Sequence, residues 1–152
     1  MGAKTKETKT GEKKFRYLSH TADVMFEAFG RSFEESLENA ALAMFAVISD
    51  TKKLKARQKV TLKEKAGTLE DLASYALADL NSESDAREVF FKTMKVEKLS
   101  KSKAGGFSMK FSAVGEPYSV AKGRSHVKAV TRHETQVEEK RGKWRIRILL
   151  DI

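Results

Sequence analysis

Residues 143–152 read Lys-Trp-Arg-Ile-Arg-Ile-Leu-Leu-Asp-Ile, and Trp144, Ile146, Ile148, Leu150 and Ile152 fall on every second position. This is the period of a strand with one buried face, the other face carrying Arg145, Arg147, Leu149 and Asp151. Most domains end in a frayed polar tail. A final residue that is apolar and in register instead predicts a chain end held against the body of the protein. Its α-carboxylate, with Asp151 beside it, then needs a counter-charge. A bound cation supplies one, and so do arginines such as Arg145 or Arg147; the spacing alone leaves both open.

Working back from this strand, Lys140-Arg141-Gly142 reads as a hairpin turn that joins it to a strand over 127–137. Gly105-Gly106 reads as a second turn, between strands over 89–99 and 107–114. Lys59–Lys65, where Val60 and Leu62 flank Thr61, predicts a strand with a polar face. Residues 23–29, DVMFEAF, alternate as a further strand, and Phe15–Leu18 is a short apolar one.

Two segments have a helical period instead. Ser32-Phe33-Glu34-Glu35 is a capping box, followed by Phe33, Leu37, Ala40, Ala41, Met44, Phe45 and Ile48 on one face. Thr68 caps a second helix, with Asp71 at the box position and Leu69, Leu72, Ala73, Ala76, Leu77 and Leu80 as its apolar stripe. That stripe stops at Asn81-Ser82-Glu83-Ser84-Asp85, which reads as a helix end and loop. The sum is an α+β layered sandwich: a mixed, largely antiparallel sheet of six to seven strands with two amphipathic helices packed on it. Strict helix–strand alternation is absent, which argues against a doubly wound nucleotide fold.

The chain has 152 residues, enough for one domain with its own core. Residues 1–13 carry no large apolar side chain after Met1 and read as a disordered basic tail; residues 14–152 form the single domain. There is no cysteine, which excludes disulfides, thiolate metal sites and cysteine nucleophiles and fits a reducing, cytoplasmic setting. No apolar run approaches membrane-spanning length, and the polar start is no secretory signal. The formal charge is +9, from 30 Lys plus Arg against 21 Asp plus Glu. Residues 1–14 contribute +3 of this and the folded part +6. Such a balance favours polyanions or an acidic protein face.

Phosphate-cradling glycine motifs, H-E-x-x-H and EF-hand loops are absent, and no serine sits in a nucleophile elbow. What remains is an oxygen cluster. Asp23 stands at the start of a strand, where acidic residues are uncommon. If Asp23 lies beside Asp151 and the chain end at Ile152, the three offer hard oxygen donors suited to calcium or magnesium rather than zinc. His20 and Thr21 precede Asp23, and His126 and His133 bracket a strand; these four are candidate supporting residues. The two later histidines are seven apart, so a regular strand points them to opposite faces unless a bulge intervenes.

Five stretches, in order, resemble the archease family: Ser19-His20-Thr21-Ala22-Asp23, the helix run Ser36–Phe45, Gly115-Glu116-Pro117, His126-Val127-Lys128-Ala129-Val130-Thr131, and the closing Leu150-Asp151-Ile152. The likeness covers about residues 14–152. It implies a protein that activates an RtcB-type, GTP-dependent RNA ligase in tRNA splicing, promoting its guanylylation and repeated turnover. It implies a divalent cation held by Asp23, Asp151 and the carboxylate or carbonyl of Ile152, no catalytic residue of its own, and contact with tRNA through the ligase complex, with neither DNA nor membrane as partner. Arg132 stands where the family often has tyrosine. The alternative reading is a basic RNA-binding chaperone that presents tRNA to processing enzymes.

Overall fold

The computed structural model describes residues 5–7, 13–19 and 22–152. The remainder of the tail predicted over 1–13 lies outside the described residues. Eight strands and two helices follow the order β1 (Thr5–Glu7), β2 (Lys13–Leu18), β3 (Val24–Gly30), α1 (Phe33–Ile48), β4 (Gln58–Ala66), α2 (Leu69–Arg87), β5 (Val89–Lys101), β6 (Phe107–Pro117), β7 (Ala129–Lys140) and β8 (Lys143–Asp151). Short 3-10 turns occupy Thr51–Lys53 and Val120–Lys122.

The α+β layering expected from the periodicities is present, but the strands divide between two sheets. One has the order β1-β2-β3-β8-β7, the other β4-β6-β5, and every pairing is antiparallel. Both helices touch both sheets: α1 packs on β3 and β8 and also on β5, while α2 packs on β7 and also on β4. A helix contacted from two sides must bury more than one stripe, and α1 does, with Ser36, Asn39 and Ala43 buried alongside Leu37, Ala40 and Met44. Phe26, Ala28, Ile146, Ile148 and Leu150 form the inner face of the larger sheet, all at 0% exposure.

The capping residues act largely as their spacing predicts. Ser32 Oγ accepts from the Glu35 N–H at 3.0 Å, and Glu35 reaches back to the Arg31 N–H rather than that of Ser32. Thr68 Oγ1 accepts from the Asp71 N–H at 3.1 Å.

The loop expected over Asn81–Asp85 is instead helical, and α2 continues to Arg87. Its polar residues are satisfied by tertiary partners. The Asn81 amide donates to the Val127 carbonyl at 2.9 Å, the Ser84 hydroxyl donates to the Val89 carbonyl, and Arg87 pairs with Glu83 one turn earlier. Glu88, at φ 54°, ends the helix in the left-handed region.

The outer face of the larger sheet is organised by Glu27, 3% exposed. Arg16, Arg145 and Arg147 all donate to its carboxylate, at 2.6, 2.6 and 3.3 Å for their closest atoms. Burial pushes the Glu27 pKa up, but the hydrogen bonds from Arg16 and Arg145 outweigh it and hold it below the usual carboxylate range. Glu27→Gln leaves three guanidinium groups facing one another, and we expect a loss of about 2 kcal/mol in denaturant unfolding.

Between α2 and β4, Asp79 shares a hydrogen bond with Glu64. Burial, then that bond and the Glu64 charge, push the Asp79 pKa from 3.8 up to about 7. The folded protein therefore binds this proton more tightly than the unfolded chain. Its contribution is complete below pH 3.8 and is lost as pH rises to about 7. Asp79→Asn should flatten urea midpoints across that window and make the protein more stable than wild type above it.

Candidate metal site at the ends of β3 and β8

In the antiparallel pair β3–β8, Phe26 lies opposite Ile148 and Val24 opposite Leu150. Asp23 directly precedes Val24 and Asp151 directly follows Leu150, so both residues adjoin the last pair of this ladder. Asp23 is half-buried, while Asp151 and Ile152 are exposed. On the other side of β8, Ala129 pairs with Asp151, and the Lys128 N–H donates to the Asp151 carbonyl at 2.7 Å. Three segments thus meet at one edge: the entry to β3, the exit of β8 and the entry to β7.

The arginines that were the alternative counter-charges are committed elsewhere. Arg145 binds Glu27 and Glu138, and Arg147 binds Glu27. Among the described residues, no lysine or arginine forms a salt bridge with Asp23 or Asp151. Carboxylates set opposite each other across a strand pair repel. A hard cation relieves that repulsion, and two carboxylates with a main-chain oxygen at Ile152 are the donors calcium or magnesium takes. Among the described residues, no three His, Cys, Asp or Glu are grouped so as to hold a metal ion. A cation held by Asp23, Asp151 and Ile152 alone would keep coordination positions for water or for oxygens of a bound partner.

The supporting residues fare differently. His20 and Thr21 lie outside the described residues. The His126 ring is 3.4 Å from Asp85 at the end of α2, and His133 is 3.8 Å from Glu134 with its side chain 83% exposed. Neither is paired with Asp23 or Asp151. The bulge required to break their strand spacing does exist, since the β7–β8 register shifts between Thr131 and Gln136. It directs Arg132 to α2, where the guanidinium binds Asp71 at 2.7 and 2.8 Å and lies 5.3 Å from the Tyr75 ring. Arg132 thereby docks β7 on α2.

Asp50 is a neighbour that sequence reasoning missed. It lines a cleft of about 330 Å³ together with Tyr17, Val24, Arg124 and Ile152. A bridge between Ser49 and Gly123 brings it there, with the Asp50 N–H donating to the Lys122 carbonyl at 2.8 Å. Such long-range pairing leaves no local sequence signal. Arg124 lies 3.6 Å from Asp50, and the Tyr17 hydroxyl donates to the Ala43 carbonyl at 2.8 Å. Burial pushes the Tyr17 pKa up to about 12, with Arg124 pulling it the other way.

Gly115-Glu116-Pro117 closes β6 beside this region. A Cβ on Gly115 would lie 2.0 Å from the Phe90 carbonyl oxygen, so only glycine lets β5 approach here. Glu116 accepts from the Lys55 N–H at 2.9 Å and from Lys122 Nζ at 3.0 Å, and these two bonds, Lys122 foremost, lower its pKa.

Residues 15–152 match the model of the archease protein family (MTH1598/TM1083). The chain belongs to the archease family. It is 37% identical over 142 residues to protein archease of Methanosarcina mazei and 34% identical over 142 residues to that of Methanosarcina barkeri; each match covers 92% of this chain and 97% of the relative. The solution structure of Methanobacterium thermoautotrophicum protein 1598 superposes with a TM-score of 0.78 at 31% identity, covering 91% of this chain and 99% of that one. The crystal structure of a Thermotoga maritima archease, described as a possible chaperone, shares the fold with a TM-score of 0.56 at 18% identity, covering 89% and 94%. Among the described residues no helix is long and apolar enough to cross a membrane.

Calorimetric titration should detect calcium or magnesium binding to the wild type and none to Asp151→Asn. Without added metal, that variant should unfold at the wild-type temperature or above, because the substitution removes a like-charge contact.

Proposed function

We propose that this archease-family chain is a metal-binding activator of an RtcB-type RNA ligase and acts in trans on ligase guanylylation during tRNA splicing. The observation that carries the reading is that Asp23 and Asp151 both adjoin the last β3–β8 pair, Val24–Leu150, where no described basic side chain forms a salt bridge with either. Family membership supports it, since the motifs that hold these residues are those the family resemblance rests on.

In this reading Asp23, Asp151 and the Ile152 main-chain oxygen would hold the cation with an incomplete shell. The Lys128 N–H fixes the Asp151 backbone, and the Val24–Leu150 pair anchors the chain next to both carboxylates. A divalent cation, when bound, neutralises phosphate charge in nucleotidyl transfer. The exposure of Asp151 and Ile152 leaves the site open to a partner protein. Asp50 and Arg124 at the neighbouring cleft offer a polar rim for that partner. The ligase supplies the nucleophile and the nucleotide pocket, and this chain supplies carboxylate geometry. The coarser role suggested for a solved family member, a chaperone, agrees with a protein that works on another protein.

Single-turnover guanylylation of the cognate ligase tests the proposal. The wild type should accelerate it, and Asp23→Ala and Asp151→Ala should each lose at least about tenfold of that acceleration, some 1.4 kcal/mol in the activated step. Full acceleration by both variants would overturn the reading.

A further inference from the structure

The three-stranded sheet turns one face to the helices, and no described element covers the other. On β4 the inward residues are Val60, Leu62 and Glu64, and the outward ones Lys59, Thr61, Lys63 and Lys65. The ladder fixes what stands beside them. Lys63 lies opposite Lys110 on β6, and Lys110 lies opposite Lys98 on β5, so three lysines form one row across three adjacent strands. The next row is Thr61–Ser112–Lys95, and the row on the other side is Lys65–Ser108–Ser100. With Lys59, the face holds six lysines. Its one carboxylate is Glu97, a bulge residue that accepts from Ser112 at 2.8 Å and lies 3.6 Å from Lys59. Among the described residues no salt bridge neutralises Lys63, Lys98 or Lys110.

Like charges set directly opposite each other destabilise a sheet. A row of three lysines about 4.8 Å apart from strand to strand is therefore unfavourable unless something else uses it. We infer that the open face of β4-β6-β5 binds the phosphate backbone of structured RNA. Lysines at strand spacing across the sheet, and at about 6.7 Å along β4, are set to meet successive phosphates, with the hydroxyls of Thr61, Ser100 and Ser108 between them as further backbone partners; Ser112 is buried and donates to Glu97. The composition argues against a protein partner. Lysine is depleted in protein interfaces, and this face carries none of the tryptophan, tyrosine or arginine anchors on which such interfaces depend. It also lacks the aromatic platforms that hold unstacked single strands, so the ligand is a helical backbone and not a run of separated bases.

The test is fluorescence anisotropy of the full chain with a short labelled duplex RNA between about 50 and 200 mM salt. The triple variant Lys63→Ser/Lys98→Ser/Lys110→Ser is compared with the wild type and with Lys140→Ser/Arg141→Ser/Lys143→Ser, which removes equal charge from the β7–β8 turn. The patch variant should bind at least about tenfold more weakly, with a log–log salt slope smaller by about 2, while the turn variant stays within about twofold of wild type. Its melting temperature should equal or exceed that of wild type, which separates lost binding from lost folding. Equal losses in both variants would show that only bulk charge matters and would overturn the proposal. So would wild-type RNA binding by the patch variant combined with lost binding to polyglutamate, which would make the face a site for acidic protein. A duplex DNA arm separates the two backbone sources: binding as tight as to RNA would overturn the assignment to RNA.

Discussion

The antiparallel register of β3 against β8, from Val24–Leu150 to Gly30–Trp144, is the constraint on which the rest of the structure depends. The side-chain period of a strand is two, so a slip of one residue would send Phe26, Ile146 and Ile148 to solvent and bring Glu27 and Arg147 into the core. The apolar face thus allows one pairing. That pairing has two consequences at opposite faces. Inside, it completes the floor on which α1 rests. Outside, it sets Glu27 among three arginines and carries Asp23 and Asp151 to the same edge. The carboxylate pair is therefore a by-product of core register, held by burial far stronger than the repulsion between the two charges.

Charge is sorted by sheet in this molecule. The larger sheet uses arginine, whose planar fork suits shared, partly buried carboxylates such as Glu27 and Glu138. The smaller sheet uses lysine on an open face, where a flexible, hydrated ammonium group can adjust to a mobile partner. The edge that carries Asp23 and Asp151 and the lysine face lie on different sheets, joined through the two helices.

Much of this was legible in the residue pattern. The closing strand, the N-caps Ser32 and Thr68 and the glycine turns each follow from local chemistry, and the structure contains them. Asp23 and Asp151 could be named from residue type, but their apposition needed the β3–β8 register. Three features were hidden for physical reasons. The tail of α2 looked like a loop because Asn81 and Ser84 are polar, yet their partners, Val127 and Val89, lie beyond the helix. The division into two sheets turns on which hairpins pair across long sequence separations, which alternation does not encode. Asp50 reaches its cleft through the Ser49–Gly123 bridge, which no local pattern announces.

The central claim is that the β3–β8 register builds a cation site at Asp23 and Asp151, and paramagnetic broadening of backbone amide signals by manganese tests it most directly. Manganese takes the same oxygen donors, and broadening falls steeply with distance from the ion. The amides of Asp23, Lys128, Asp151 and Ile152 should be lost first at low manganese and spared in Asp151→Asn. Broadening centred instead on Glu64, Asp79 and Glu83, or unchanged in the variant, would contradict it.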